Sequence, residues 1–184
     1  MTTTKVETGM WAHAAHPSMA LNTIDVLLER LSPTNLRIRY EALGRISDLA
    51  IPAPAASMRA DKLWRTTCFE LFLRSVEATA YREFNFSPSG QWAAYEFRAY
   101  REGMNDASLP GDPVIETEAY PDRFVVDVRL SLDLSSDPYL IGLSAVAEEQ
   151  TVGTSYWAVS HPSERPDFHH PACFVIQLPS APGT

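Results

Sequence analysis

From Leu63 to Met104 the chain reads LWRTTCFELFLRSVEATAYREFNFSPSGQWAAYEFRAYREGM, with apolar and polar positions alternating through three short runs. Side chains of a strand point to opposite faces with period two, so the pattern predicts three consecutive antiparallel strands. In the first, Phe69, Leu71 and Leu73 share one face, and Cys68, Glu70, Phe72 and Arg74 the other. In the second, Arg82, Phe84 and Phe86 oppose Tyr81, Glu83, Asn85 and Ser87. Ser87-Pro88-Ser89-Gly90 carries the turn chemistry, since Pro presets φ and Gly permits positive φ. A two-residue loop pairs Phe86 with Ala93 and a four-residue loop pairs it with Gln91, two registers of the same parity. Both place Phe84, Phe86, Ala93, Tyr95 and Phe97 on the core face, and Glu83, Asn85, Trp92, Glu96 and Arg98 on the other. Glu70 joins that polar row if the first strand pairs in phase. A sheet face of carboxylates, amides and aromatics is suited to water or a polar ligand, which points to a binding protein.

The β pattern continues beyond this segment. Thr23–Leu31 and Leu36–Leu43 flank a Ser32-Pro33-Thr34-Asn35 turn, and Val114–Tyr120 and Phe124–Leu132 flank Pro121-Asp122. Tyr139–Glu148, Ser155–Ser160 and Cys173–Leu178 complete the set, with a short helix at Tyr139-Leu140-Ile141 as an alternative. Short strands at this spacing predict an all-β antiparallel β-sandwich with at most one or two short helices. Gly, Pro, Ser and paired His content marks residues 1–20 as a loosely ordered lead-in to a single domain over 21–184.

Composition narrows the function classes. The net charge is −8, from 23 acidic against 15 basic residues, and the arginines are scattered. No basic stripe follows a phosphate backbone, which argues against nucleic acid. No apolar run approaches the roughly 18 residues of a membrane-spanning helix, and the first residues lack the apolar core of a signal peptide. A cytoplasmic protein without membrane contact is expected. Cys68 and Cys173 are too few for a metal cage or a disulfide framework, and buried free thiols are favoured. Sheet edges leave a route to oligomers.

Several groups carry candidate chemistry. Trp64 and Trp157 suit either the core or stacking on the apolar face of a pyranose, with carboxylates and amides nearby for its hydroxyls. Glu70 stands in mid-strand between Phe69 and Leu71, as a ligand contact or as a buried ion pair with Arg98 or Arg74. Glu83 and Glu96, if they face each other, offer a weaker glycosidase-like alternative. The stretch His161-Pro162-Ser163-Glu164-Arg165-Pro166-Asp167-Phe168-His169-His170-Pro171 reads as a proline-braced loop whose histidines bond backbone or flank a ligand, in preference to a metal site. Phosphate loops, nucleophile elbows and HExxH are absent from the sequence.

The blocks LW-x3-CFELFL, Y-x-EFNFSPSGQWAAYEFRAYREGM, YWAVSHP and PDFHHPACFV resemble a bacterial group of DOMON-like proteins, themselves similar to family 9 carbohydrate-binding modules. The likeness runs from about Leu21 to Leu178. It implies a DOMON-type sandwich of jelly-roll or immunoglobulin-like form. It also implies a non-catalytic site for a sugar or nucleotide sugar between Trp64 and Trp157, with Glu70 accepting from hydroxyls. Thr154 stands where binders of that kind carry an asparagine. Glu83, Asn85, Arg98 and His161 are the expected supporting contacts, with no cofactor. Haem-binding DOMON domains give the second expectation, with Met58 or Met104 and His161 or His169 as the axial pair. A glycoside hydrolase is the third.

Overall fold

Alternation in the sequence becomes strand pairing in the computed structural model, which describes residues 4–134 and 138–178. Residues 1–3 of the expected lead-in and 179–184 of the expected domain lie outside that range. The strands are β1 (Thr4–Ala12), β2 (Leu21–Arg30), β3 (Asn35–Gly44), β4 (Cys68–Ser75), β5 (Tyr81–Phe86) and β6 (Trp92–Phe97). They are followed by β7 (Asn105–Asp106), β8 (Val114–Ala119), β9 (Arg123–Ser131), β10 (Tyr139–Glu149), β11 (Gly153–Ala158) and β12 (Ile176–Gln177). Helix is confined, among the described residues, to 3-10 turns at Ile46–Asp48, Leu63–Arg65 and Pro171–Cys173. Tyr139-Leu140-Ile141 is strand, and most of the strand expected over Cys173–Leu178 is a turn followed by the two residues of β12.

Two antiparallel sheets form the sandwich. One runs β8-β9-β3-β2-β1, the other β7-β6-β5-β4-β10-β11, with β12 also on β10. Strand β1 belongs to both: Thr4 to Met10 pair with β2, and Trp11 and Ala12 pair with Ala158 and Trp157 of β11. Within the lead-in expected over residues 1–20, Thr4–Ala12 form strand β1. Val6 and Met10 carry the period-two signal there, which the Gly and His content around them obscured. The connection from β1 to β2 is pinned by the buried Glu149 carboxylate, which accepts from the Ala20 amide at 3.1 Å and from the Ser18 hydroxyl.

The core lies between the sheets. Ile24, Val26, Ile38, Tyr40, Val126 and Val128 of one meet Phe69, Leu71, Phe84, Phe86, Leu143 and Trp157 of the other. Tyr40 crosses the interface, with its ring 5.1 Å from that of Phe69 and its hydroxyl donating to the Glu70 carbonyl at 2.9 Å. On β2 and β3 buried positions alternate with accessible ones, so the outer face of that sheet is polar. Arg37 spans that face from Asp127 to Glu29. The other sheet is buried on both sides. Its outer surface is covered around Leu63, Phe72, Tyr81, Tyr95, Phe97 and Phe174, and there the site forms.

Register overturns the expected parity of the central hairpin. Phe86 pairs with Trp92 and Glu83 with Tyr95. The Ser87 amide donates to the Gln91 carbonyl at 2.9 Å, leaving a three-residue loop of Pro88, Ser89 and Gly90, with φ +91° at Gly90. An odd loop of this kind, a turn closed by a left-handed glycine, exchanges the faces of the second strand relative to both even loops. Trp92 and Ala94 consequently enter the core, while Ala93, Tyr95 and Phe97 share the outer face with Glu70, Glu83 and Asn85. Glu96 pairs with Arg82 on the opposite side, so the anticipated Glu83–Glu96 encounter does not occur.

Gly44 ends β3 at φ +153°, where an added Cβ would strike the Ala20 carbonyl oxygen and lie 2.8 Å from Leu21 Cα. Both obstacles are backbone, so a neighbouring strand must move. Gly44→Ala is expected to lower stability by about 2 kcal/mol. Urea unfolding checks this as a drop in midpoint at unchanged slope.

Candidate functional site

The covered face of the second sheet encloses a cavity of about 680 Å³. Its floor is set by strand pairing. Glu70 on β4 lies opposite Asn85 of β5, and Phe72 lies opposite Glu83, so in-phase alternation points both carboxylates outward. The 3-10 turn Leu63–Arg65 brings Trp64 to the wall, where its ring meets Tyr95 edge-on at 5.8 Å. Tyr156 of β11 and Phe168 of the following loop bring further rings, 6.2 Å apart. Arg65, His16, Arg101 and Met104 reach the cavity from more exposed positions.

Glu70 is 2% exposed, and its Oε2 accepts from the Ser144 hydroxyl of β10 at 2.7 Å. Burial, reinforced by the nearby Glu83 charge and opposed by the Ser144 hydrogen bond, pushes its pKa up to about 8. Glu83 is also buried. Its Oε1 accepts from Asn85 Nδ2 at 2.7 Å, and its Oε2 lies 3.6 Å from His169 Nε2. Burial raises the Glu83 pKa, with Asn85 and the Arg101 charge acting against it. His169 is held neutral, its pKa lowered to about 4 by burial and then by the Arg101 charge. Its Nδ1 lies 2.8 Å from the Tyr81 hydroxyl. With a carboxylate facing Nε2, the tautomer protonated on Nε2 serves both neighbours, and Nδ1 accepts from Tyr81. Arg101 pairs with Asp167 at 2.7 Å, and its amide donates to the Tyr81 hydroxyl at 3.1 Å. The cavity floor thus combines two buried carboxylates with a neutral imidazole.

Trp64, Glu70 and Glu83 line this cavity together. Asn85 is fully buried behind the floor, where it orients Glu83 and receives the Cys68 thiol at 3.6 Å. Trp157 is corrected. It is 2% exposed in the inter-sheet core, with Nε1 donating to Ser155 Oγ at 3.0 Å, because its neighbour Tyr156 takes the cavity face of β11. Arg98 is exposed and lines a separate hollow of about 440 Å³ with Arg82 and Glu96, outside the Glu70 site. His161 is likewise placed elsewhere: its Nε2 bonds the Trp11 carbonyl at 2.8 Å and its ring meets His13 edge-on at 4.9 Å. The cavity histidine is His169. Sequence reading passed over Tyr156, although its alternation with Trp157 was the available signal. Phe168 and Arg101 lie in irregular segments that carry no such pattern.

Among the described residues no group of three His, Cys, Asp or Glu side chains is arranged to hold a metal. The expected axial pair for haem does not fit. Met58 is exposed, His161 lies outside the cavity, and the one pair that lines it, Met104 and His169, has both imidazole nitrogens directed at Tyr81 and Glu83.

Fold and cavity together define an all-β, mostly antiparallel sandwich with one sheet face built into a pocket. Among solved structures, the chain is similar to a candidate carbohydrate-binding protein from Bacteroides uniformis, with a TM-score of 0.67 at 14% identity over 90% of this chain and 83% of that one. A family 9 carbohydrate-binding module from Caldicellulosiruptor kristjanssonii in complex with glucose gives a TM-score of 0.43 at 12% identity, over 80% of this chain and 72% of that one. The same kind of module in complex with cellotriose gives 0.42 at 11%, over 81% and 70%. No protein-family model matches the chain, and no curated protein does. At such identities the likeness is one of fold, and function has to be argued from the site.

Proposed function

We propose that this protein is a non-catalytic carbohydrate-binding sandwich whose ligand, a sugar or sugar derivative, enters the cavity over Glu70 and Glu83. The observation that carries this reading is the meeting of aromatic walls, Trp64, Tyr156 and Phe168, with buried hydrogen-bonding carboxylates in one cavity of about 680 Å³. Pyranoses offer an apolar face for ring stacking and a rim of hydroxyls for carboxylates, and pockets of this size hold small ligands of that kind. The fold shared with the Bacteroides uniformis protein supports the reading. Binding without turnover is the expectation.

Titration with mono-, di- and nucleotide sugars, followed by tryptophan fluorescence, tests the proposal. A saturable change for one class is expected, weakened about tenfold or more in Trp64→Ala and Tyr156→Ala while circular dichroism stays as in the parent. A flat response across the whole panel would reject a sugar site.

A further inference from the structure

The floor of the cavity holds two buried carboxyl groups, neither of them in a salt bridge with a lysine or arginine among the described residues. Glu70 Oε2 is occupied by Ser144, but Oε1 has no hydrogen-bond donor among the described residues, although the side chain is 2% exposed and borders the cavity. Glu83 Oε2 has only the His169 imidazole at 3.6 Å. Each element packed against this floor contributes a neutral or an already committed group. From β10 comes the Ser144 hydroxyl, from β4 the Cys68 thiol, and from β5 the Asn85 amide. The loop from Ser160 to Pro171 contributes neutral His169, whose other nitrogen meets Tyr81. The cations within reach are peripheral: Arg101 is half exposed and paired with Asp167, while Arg65 is exposed. No lysine or arginine forms a salt bridge with Glu70 or Glu83 among the described residues. Buried carboxylates ordinarily have a cationic partner or retain a proton.

We propose that the ligand supplies the missing cation, so that this site selects a sugar bearing a protonated amine, an amino sugar, over its neutral or N-acylated counterparts. This rests on the carbohydrate reading above and names the ligand class of the same site. The ammonium donates to Glu70 Oε1 and to Glu83 Oε2, while the ring stacks on the aromatic wall. Hydrogen bonds between ionised partners are the strong kind, and an amide nitrogen carries no charge to offer. The raised pKa of Glu70 agrees with a floor that keeps one proton while empty. Entry of the ammonium displaces that proton to solvent, so the cation exchanges for a proton and the charge of the buried floor stays balanced.

The test compares glucosamine, N-acetylglucosamine and glucose by calorimetry at pH 7, in two buffers of different ionisation enthalpy, with fluorescence in parallel. Glucosamine is expected to bind at least about tenfold tighter than either of the others, with release of close to one proton. Glu70→Gln, which keeps the shape and an acceptor for Ser144, is expected to reduce that preference to less than about threefold and to remove the proton release. Equal affinity for all three sugars would overturn the amine selectivity and leave the sugar site standing. Absence of saturable binding to any of them would overturn both. An undiminished preference in Glu70→Gln would remove Glu70 from the recognition of the amine.

Discussion

Glu70→Gln is expected to stabilise the protein at pH 8.5 by several kcal/mol, up to about 5, relative to the parent. The sign follows from the direction of the shift. Burial holds the folded-state pKa at about 8, well above the ordinary 4.5, so between those values the folded protein keeps a proton that the unfolded chain gives up. Stability from this group therefore falls as pH rises through that window, by up to about 1.4 kcal/mol per pH unit, and levels off above the folded-state pKa. Glutamine never ionises, and its amide oxygen can still accept from Ser144. Below the ordinary carboxyl pKa both proteins carry a neutral side chain at this position and the advantage closes. Urea unfolding at pH 4, 6.5 and 8.5 measures the difference. Curves that run parallel across pH would mean that the carboxyl is accommodated in its charged form. The variant would also lose the ligand interaction proposed for Glu70, so stability and binding are opposed at this one residue.

Trp157→Ala and Trp64→Ala should differ sharply in their effect on folding. Trp157 is among the largest fully buried side chains, and its indole NH is satisfied by Ser155. Truncation leaves a void between the sheets and a hydroxyl without its donor, with a loss of about 4 kcal/mol. Trp64 stands on a turn at the cavity wall and is only partly buried, so its truncation should lower stability by about 1 kcal/mol. Denaturant midpoints for the two variants, measured together, decide the matter. Comparable losses would mean that the turn Leu63–Arg65 is as integral to the core as β11.

Much of the fold could be read from alternation alone. Strands β2 and β3 bury close to every second residue, β4, β5 and β9 also sit where the sequence pattern puts them, and Glu70 falls in phase with Glu83. The faces of β6 are opposite to those the sequence predicts, because either even loop at Ser87-Pro88-Ser89-Gly90 gives the reverse parity. A glycine at φ +91° makes the loop odd and reverses the whole strand. Trp157 illustrates a different limit. Two adjacent aromatics on a strand must point to opposite faces, and composition cannot say which faces the core. His169 and Arg101 reach the site through irregular chain, where position depends on tertiary packing and no periodicity exists to be read.

The double membership of β1 has a consequence for how the chain comes to be folded. Its pairing with β2 is local and can form as soon as the first hairpin exists, whereas its pairing with Ala158 and Trp157 waits until β11 has been made, well over a hundred residues later. Until then the far end of β1 remains an open edge, able to accept the wrong strand from the same or another chain. Closure of the two sheets into one molecule is thus a late, long-range event of high contact order, which places this protein among the slow folders. Chaperone demand and aggregation during expression should accordingly respond to changes near Trp11 and Ala158 far more than to changes in the cavity.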